Sequence, residues 1–444
     1  MKRLNIAMLG EQAQVAEPVQ SELEVLGSQV EDDLLQAQQK IDQESNVDQA
    51  VEDAIEATDQ LGEEAQAAQE ILDNGGEVTQ AALESIQRNV KRILKTVGME
   101  KDAVGMETYR SSPKVSLEIA TEGIKEIVNK IWEAIKNAWN RVVDFVKDIF
   151  KRFTDGAYKL KKRAQQVLEE ASKLKGKTLG KTGNEFKEPS SLNTYMRYGH
   201  KPAPAAGIYN GIVNMNSIMN GVVNDFTSKE TLQHYEKSLD VLIKKHVDKI
   251  KRNPAAEEAT QQDMEAIFQP VIKHLSTQGG DGKVGTKPFL SDNVIYFSTK
   301  DLTVGIEPIM NKKDFTEKYD PIAIPDIIAV CEVVIEQMDE YKNLDQLQTG
   351  LDKFTNSFIQ KEKEFVKSSE GLPPGQAQVF SYVVSRFVNK IIDILRNVNA
   401  KIRVLNLNIN KSVIDWCAAS LPVWNESTEI HGIVPDKYLK LGNK

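Results

Sequence analysis

The most regular hydrophobic pattern in the chain begins just after its first quarter. Apolar residues recur there at steps of three and four, the spacing of one face of an α-helix. They are Ile124, Ile127, Val128, Ile131, Ile135, Trp139, Val142, Val146, Ile149 and Phe153. Charged residues fill many of the positions between them. The pattern predicts an amphipathic helix about 45 Å long, followed by a second basic helix that contains Lys159 and Lys175.

A thinner pattern of the same period runs through the first 75 residues. It comprises Leu23, Leu26, Val30, Leu34 and Ile41, and then Val47, Val51, Ile55 and Leu61. Ala, Glu and Gln surround these positions and favour helix. We therefore predict a helical hairpin or coiled-coil pair, with its turn near Gln43–Asn46 and its end at Asn74-Gly75-Gly76.

The remaining pattern is also mainly helical. Helices are predicted over Ile208–Phe226, Lys229–Lys251, Ile324–Tyr341, Leu347–Lys367 and Gln376–Ser420, the last as the central core element. Two short β-rich runs, 293–297 and 302–309, predict a β-hairpin. The predicted fold is mostly α, a helical bundle with a small β-hairpin insertion near 285–310 and an acidic helical N-terminal segment. Its predicted divisions are 1–118, 119–200 (basic amphipathic helices) and 201–444 (mostly helical core).

Charge divides the chain at the first of these boundaries. The 444 residues carry a formal charge of -9, but residues 1–118, here called the leader, contain 24 acidic and 10 basic residues, a net of -14. Residues 119–444, here called the body, have a net charge of +5. Within 11–87 there are 20 carboxylates, one cation (Lys40) and no aromatic residue. The leader is therefore either a solvated helical face or an acidic segment that is detachable or regulatory.

The change in composition falls between about Gly98 and Glu122. Gly98, Gly105 and Ser111-Ser112-Pro113 are typical of an exposed linker, and proteolysis concentrates in such segments.

Three hypotheses compete for the amphipathic helix. Its stripe packs in a core, or it lies on an anionic membrane surface, or it presents cations to nucleic-acid phosphates without reading the sequence. The first and third are compatible. The candidate DNA- or partner-facing residues are Lys125, Lys130, Lys136, Arg141, Lys147, Lys151 and Arg152.

Enzyme signatures are missing from the sequence. The glycine-rich run 279–287 lacks the first glycine and the Ser or Thr of a P-loop, so we expect a hairpin loop there. No pair of the five histidines is spaced i, i+4, and the two cysteines cannot build a zinc cluster. Cys417 follows Trp416 in an apolar helix and is predicted to be a packed thiol. We predict a non-enzyme with no catalytic residue, metal or cofactor. The sequence contains no run of about 18 apolar residues, so no transmembrane helix is predicted.

The sequence at the boundary resembles a known family. The run Ser116-Leu117-Glu118-Ile119-Ala120-Thr121-Glu122-Gly123, with the helical segment after it, resembles the internal head (inner-body) proteins of giant tailed bacteriophages. Those proteins are made with propeptides that a phage-encoded prohead protease removes after the glutamate of a small-residue–x–Glu pattern. The resemblance implies cleavage between Glu118 and Ile119, with Ser116 as the small residue.

The resemblance also implies a location and partners. The chain would be made in the host cytoplasm during assembly and then packed beside the genome in the head interior. Its partners would be the prohead protease, other head-interior proteins and, non-specifically, packaged DNA. The same tripeptide pattern recurs, for example at Glu84, Glu100, Glu107 and Glu122, so cleavage could be staged or displaced. Two alternatives stay open: a membrane-active effector held inactive by its acidic segment, and a cryptic enzyme in 200–444.

Overall fold

The fold is seen in a computed structural model that describes most of the chain. The described residues are 17–73, 78–99, 101, 112–177, 179–181, 185–199, 201–250, 263, 265–309, 318–344, 349–350, 352–358, 360–361 and 374–426. The structure is mostly α-helical, as the hydrophobic periodicity predicts.

Long helices account for most of the described residues. The helices are α1 (Glu17–Asp73), α2 (Gln80–Thr96), α3 (Pro113–Lys173), α4 (Leu192–Tyr195), α5 (Ile208–Thr227), α6 (Lys229–Ile250), α7 (Ile324–Glu340), α8 (Pro374–Asn397) and α9 (Arg403–Ser420). The strands are β1 (Leu179–Lys181), β2 (Arg197–Tyr198), β3 (Lys201–Pro202), β4 (Thr277–Gln278), β5 (Lys283–Gly285), β6 (Asn293–Ser298), β7 (Thr303–Pro308) and β8 (Trp424–Glu426).

The longest helices, α1 and α3, pack side by side and antiparallel. Asp33 of α1 meets Lys159 of α3, whereas the later residue Lys40 meets the earlier residue Asp148. At a rise of 1.5 Å per residue each helix is roughly 85–90 Å long. Helices α8 and α9 also pack on α1, and α7 packs on α3. The α1–α3 pair therefore forms a wall of the body.

The hairpin predicted for the N-terminal segment is wrong. Residues 43–46, where the turn was expected, lie inside α1, which is one helix from Glu17 to Asp73. These four residues contain neither Gly nor Pro, so nothing in the local backbone forces a break. Packing of α1 along α3 stabilises one continuous helix instead, since tertiary contacts supply most of the stability of a helix.

Helix α3 is longer than predicted at both ends. It begins at Pro113, inside the expected linker, where the Ser112 hydroxyl caps the backbone N–H of Val115 and proline occupies the first turn. It then continues through the two predicted helices as one, past Gly156, to Lys173. Its apolar stripe is buried as predicted for a core helix, for example at Ile124, Trp139 and Phe153.

The predicted β-hairpin is confirmed and extended. Strands β6 and β7 pair antiparallel, from Asn293 opposite Pro308 to Ser298 opposite Thr303. Strands β4 and β5 add to the β6 edge and give a four-stranded sheet in the order β4-β5-β6-β7. The glycine-rich run 279–287 forms the β4–β5 turn and strand β5, which confirms a hairpin loop there. Phe297 anchors the sheet against Phe226 of α5, with ring centroids 5.9 Å apart.

The C-terminal helix is the central core element that was predicted, with one interruption. A π-helical turn, Val398–Ile402, separates α8 from α9. Around it the core contains amides: Asn406 Nδ2 donates to Asn216 Oδ1 at 2.9 Å, and Asn410 Nδ2 donates to the same oxygen at 3.2 Å. Single-turn π segments often lie near functional sites.

Candidate functional site

The predicted cleavage site lies in the second turn of α3. Glu118 is exposed, Ile119 is half-buried, and Ser116 and Leu117 are buried. The Thr121 hydroxyl donates to the Leu117 carbonyl at 2.8 Å. The bond between Glu118 and Ile119 is therefore helical, where an exposed linker was expected. A protease that reads an extended backbone must first unwind the beginning of α3.

The leader covers an apolar face of the body. Its side of the core includes Val30, Leu34, Ile41, Val51, Ile55 and Leu61, each at most 4 % exposed. The alanines at 37, 65 and 68 are fully buried, and their small side chains allow α1 to approach the body closely. One face of α1 is thus docked on the body, and only the other is solvated.

Ion pairs reinforce this contact along the length of α1. Asp33 binds Lys159 at 2.6 Å, Glu52 binds Lys390 of α8 at 2.5 Å, and Glu31 lies 3.3 Å from Lys411 of α9. Lys40, the one cation within 11–87, pairs with Asp148. The hydrogen bond from Lys40 holds the pKa of Asp148 below its ordinary value. These pairs are partly exposed, so each contributes little alone, but together they match α1 to this face.

A buried ion cluster lies beneath α1. Arg163 of α3 and Asp415 of α9 form an ion pair at 2.5 Å, with side chains 10 % and 11 % exposed. Lys411 approaches the other Asp415 oxygen at 3.0 Å. Gly27 of α1 passes over the guanidinium so closely that a Cβ there would lie 2.1 Å from Arg163 Nη1. Glycine at position 27 therefore lets α1 close over the cluster.

The outward face of α1 is strongly acidic. Exposed carboxylates follow it at Glu56, Glu63 and Glu70. Basic partners of this face are few, since 11–87 contains no cation except Lys40. In the full chain, this side of the molecule therefore repels polyanions such as DNA.

The seven predicted DNA- or partner-facing cations lie on the polar half of α3, but they are not gathered into one free basic patch. Lys125, Lys136 and Lys147 each pair with an acidic residue three positions earlier. Lys147 also pairs with Asp352, and this hydrogen bond raises its pKa. Arg152 bonds Asp148 and Gln36, and Lys130 also has a partner. Arg141 and Lys151 are exposed.

The stripe required for the membrane hypothesis is buried. Ile131, Ile135 and Phe150 are each at most 2 % exposed, covered by α1 and α7. Within the described residues, none of the helices combines the length and apolarity needed to cross a membrane.

The described residues were also inspected for catalytic and metal-binding chemistry. No group of three or more His, Cys, Asp or Glu side chains in this part of the chain is arranged to hold a metal ion. Cys417 is fully buried, which confirms a packed thiol, and burial raises its pKa. It lies next to Cys331 of α7, which is also fully buried.

Sequence reasoning missed the Arg163–Asp415 cluster. Arg163 stands among Lys159, Lys161 and Lys162, so the sequence suggests one more solvated cation of a basic helix. The helical period does indicate that Arg163 is on the buried face of α3, because it lies three residues after Leu160 and four before Val167, which are both buried.

Comparison with known proteins identifies a family. The sequence model of the phiKZ-like phage internal head proteins matches residues 18–406. No curated protein and no solved structure matches the chain. The matched region begins at the second residue of α1 and ends in the first turn of α9. It therefore covers most of the leader and most of the body as one stretch.

Proposed function

The chain belongs to the phiKZ-like phage internal head proteins, and from this membership we propose that it is packed beside the genome in the head interior after proteolytic removal of its leader. The family is one of structural proteins of the phage head. The match of the family's sequence model to residues 18–406 is the observation that supports the proposal. Its partners in this role are the prohead protease, other head-interior proteins and packaged DNA, the last without sequence specificity.

Electrostatics supports removal of the leader before packing. The full chain has a charge of -9, and the body alone has a charge of +5. A protein packed among DNA phosphates gains from net positive charge, because its cations release counterions from the nucleic acid. During assembly in the host cytoplasm, the acidic face of α1 keeps the uncut chain away from nucleic acid.

Docking of α1 adds a requirement to this proposal. One cut after Glu118 leaves α1 seated on α3, α8 and α9, so discarding the leader takes further cuts or local unfolding. The small-residue–x–Glu pattern also occurs within α1, at Ala50-Val51-Glu52, Ala54-Ile55-Glu56 and Ala68-Gln69-Glu70. Cutting at such positions would divide the buried face of α1 among several fragments, each of which binds the body less tightly than the whole helix.

The particle itself provides the direct test. Mass spectrometry of purified virions should detect peptides from residue 119 onward at high coverage and few from 1–118, with a new N-terminus at Ile119. Heads assembled without active protease serve as the control and should contain both regions equally. Equal coverage of both regions in mature virions would contradict removal of the leader.

The helical position of the cleavage site makes its rate depend on the α3 cap. We expect Ser112→Ala to speed cleavage after Glu118, because loss of an N-cap costs about 1 kcal/mol and raises the population of the unwound first turns about fivefold. The measurement is the rate at which the protease cuts the full chain, followed by gel electrophoresis.

A matched serine provides the control for this experiment. Ser172→Ala, at the exposed far end of α3, should leave the rate unchanged, and Glu118→Gln should abolish this cut. Equal rates for Ser112→Ala and the unaltered chain would show that unwinding of α3 does not limit cleavage.

A further inference from the structure

A polar cleft of 910 Å³ opens between α5, α6, α7 and the start of α9. It lies in the body, apart from the α1 contact and the cleavage site. Clefts of roughly 300–1,000 Å³ are typical of small-molecule sites. Its lining contains three cations, Arg403, Lys229 and Lys353, against two carboxylates, Glu236 and Glu340.

Arg403 is the cation held in place by the fold. It is the first residue of α9, directly after the π-helical turn, and its guanidinium carbon lies 5.7 Å from the centroid of the Tyr341 ring. Its Nε lies 3.5 Å from Asn399 Oδ1, and its backbone carbonyl accepts from the Tyr341 hydroxyl at 3.4 Å. With the described residues, its guanidinium forms no ion pair within 4.0 Å. A half-buried guanidinium without a bound carboxylate is a ready partner for an anion.

The acidic neighbour of Arg403 is engaged elsewhere. Glu340 Oε2 accepts from Asn220 Nδ2 at 2.7 Å and from Gln337 Nε2 at 3.4 Å. Burial raises the pKa of Glu340, and burial also disfavours the charged form of Arg403. Glu340 attracts Arg403 at a distance, but it forms no ion pair with the guanidinium, whose N–H donors remain available to a ligand in the cleft.

Apolar side chains form one wall of the cleft. Leu232, Val223 and Phe354 are each at most 8 % exposed and line it. Phe354 is held by Phe358, whose ring lies edge-on with its centroid 4.3 Å away. Lys229 and Lys353 lie at the exposed rim. An anionic group at Arg403 would therefore place an attached ring beside an apolar, partly aromatic wall.

We propose that this cleft binds a nucleoside monophosphate, with the phosphate on Arg403 and the rim lysines and the base against Leu232 and Phe354. Arginine binds phosphate through paired N–H donors, and a base gains from contact with an aromatic side chain. The volume suits one nucleotide, and the two carboxylates disfavour a more highly charged ligand.

Titration calorimetry of the full chain with AMP tests the proposal. One AMP should bind per chain, and adenosine should bind about tenfold more weakly or worse, because it lacks the charged phosphate that accepts hydrogen bonds from Arg403. Arg403→Gln and Lys353→Gln should both weaken AMP binding. Glu340→Gln should tighten binding of inorganic phosphate, because it removes a negative charge beside Arg403.

Lys361→Gln is the matched control. Lys361 lies near Lys353 along the chain and does not line the cleft; its ammonium donates to Asp240 and, at 3.4 Å, to the backbone carbonyl of Glu236. Its charge is paired with Asp240, so AMP affinity should not change. If Arg403→Gln does not fold, Lys353→Gln, at an exposed position, decides the question. The proposal is overturned if AMP binds with a dissociation constant weaker than about 1 mM, or if Lys353→Gln weakens binding no more than Lys361→Gln does.

Discussion

A single cut between Glu118 and Ile119 leaves the leader bound to the body in solution. The leader buries the side chains of Val30, Leu34, Ile41, Val51, Ile55 and Leu61 from α1, with Leu83, Ile86 and Val90 from α2. Each buried side chain of this kind contributes roughly 1.5–3 kcal/mol. The six α1 side chains alone contribute roughly 9–18 kcal/mol, which is above most of the range of about 4–15 kcal/mol for the cost of association, so the two fragments should behave as one complex.

Size-exclusion chromatography measures this outcome directly. A site for a sequence-specific protease, placed directly after Glu118, allows one cut in the purified chain. We expect both fragments to elute together at physiological salt and to separate only in denaturant. The control carries Leu34→Asp and Leu61→Asp, which place charges in the buried face of α1 and should release the leader after the same cut. Elution of the unaltered leader by itself would contradict the docked arrangement.

Removing the buried arginine beneath α1 should be the most destabilising single charge change on α3. In Arg163→Met, the Asp415 oxygen that faces Arg163 loses its cation, and Lys411 remains at 3.0 Å from the other oxygen. Breaking a buried ion pair by removing one partner typically costs about 3–5 kcal/mol. The midpoint of urea unfolding, measured by circular dichroism, should fall accordingly.

A second cation on the same helix makes the comparison specific. Lys173 pairs with Glu170 at 2.6 Å, but its side chain is 59 % exposed. Lys173→Met should leave the midpoint of urea unfolding almost unchanged, because solvent screens an exposed ion pair. Equal effects of Arg163→Met and Lys173→Met would show that burial of the Arg163–Asp415 pair does not contribute to stability.

Local patterns predicted the helical nature of the protein well. The stripe from Ile124 to Phe153 repeats at the period of a helix, and its side chains are buried wherever the structure describes them. The β-hairpin was equally visible, because Asn293–Ser298 and Thr303–Pro308 are β-rich runs separated by a short turn. Such features depend on neighbours within a few residues, which is the range that periodicity reports.

Helix continuity was decided by tertiary contacts. Residues 43–46 and 113–118 look like breaks or linkers in the sequence, yet both lie within long helices. Packing of α1 on α3 makes the helical state favourable there. A prediction from propensity alone omits this contribution, because the partner surface belongs to another helix, distant in the sequence.

The sequence by itself determined the helical class, the division of charge and the resemblance at Glu118. Only the tertiary structure decided which charges are buried and what the leader covers. Arg163 and Asp415 stand 252 positions apart, and the other residues that line the cleft at Arg403 precede it by 49 positions or more. Charge counts are properties of composition. The burial and pairing of charged side chains arise only when distant segments meet, so no local sequence pattern predicts that burial and pairing.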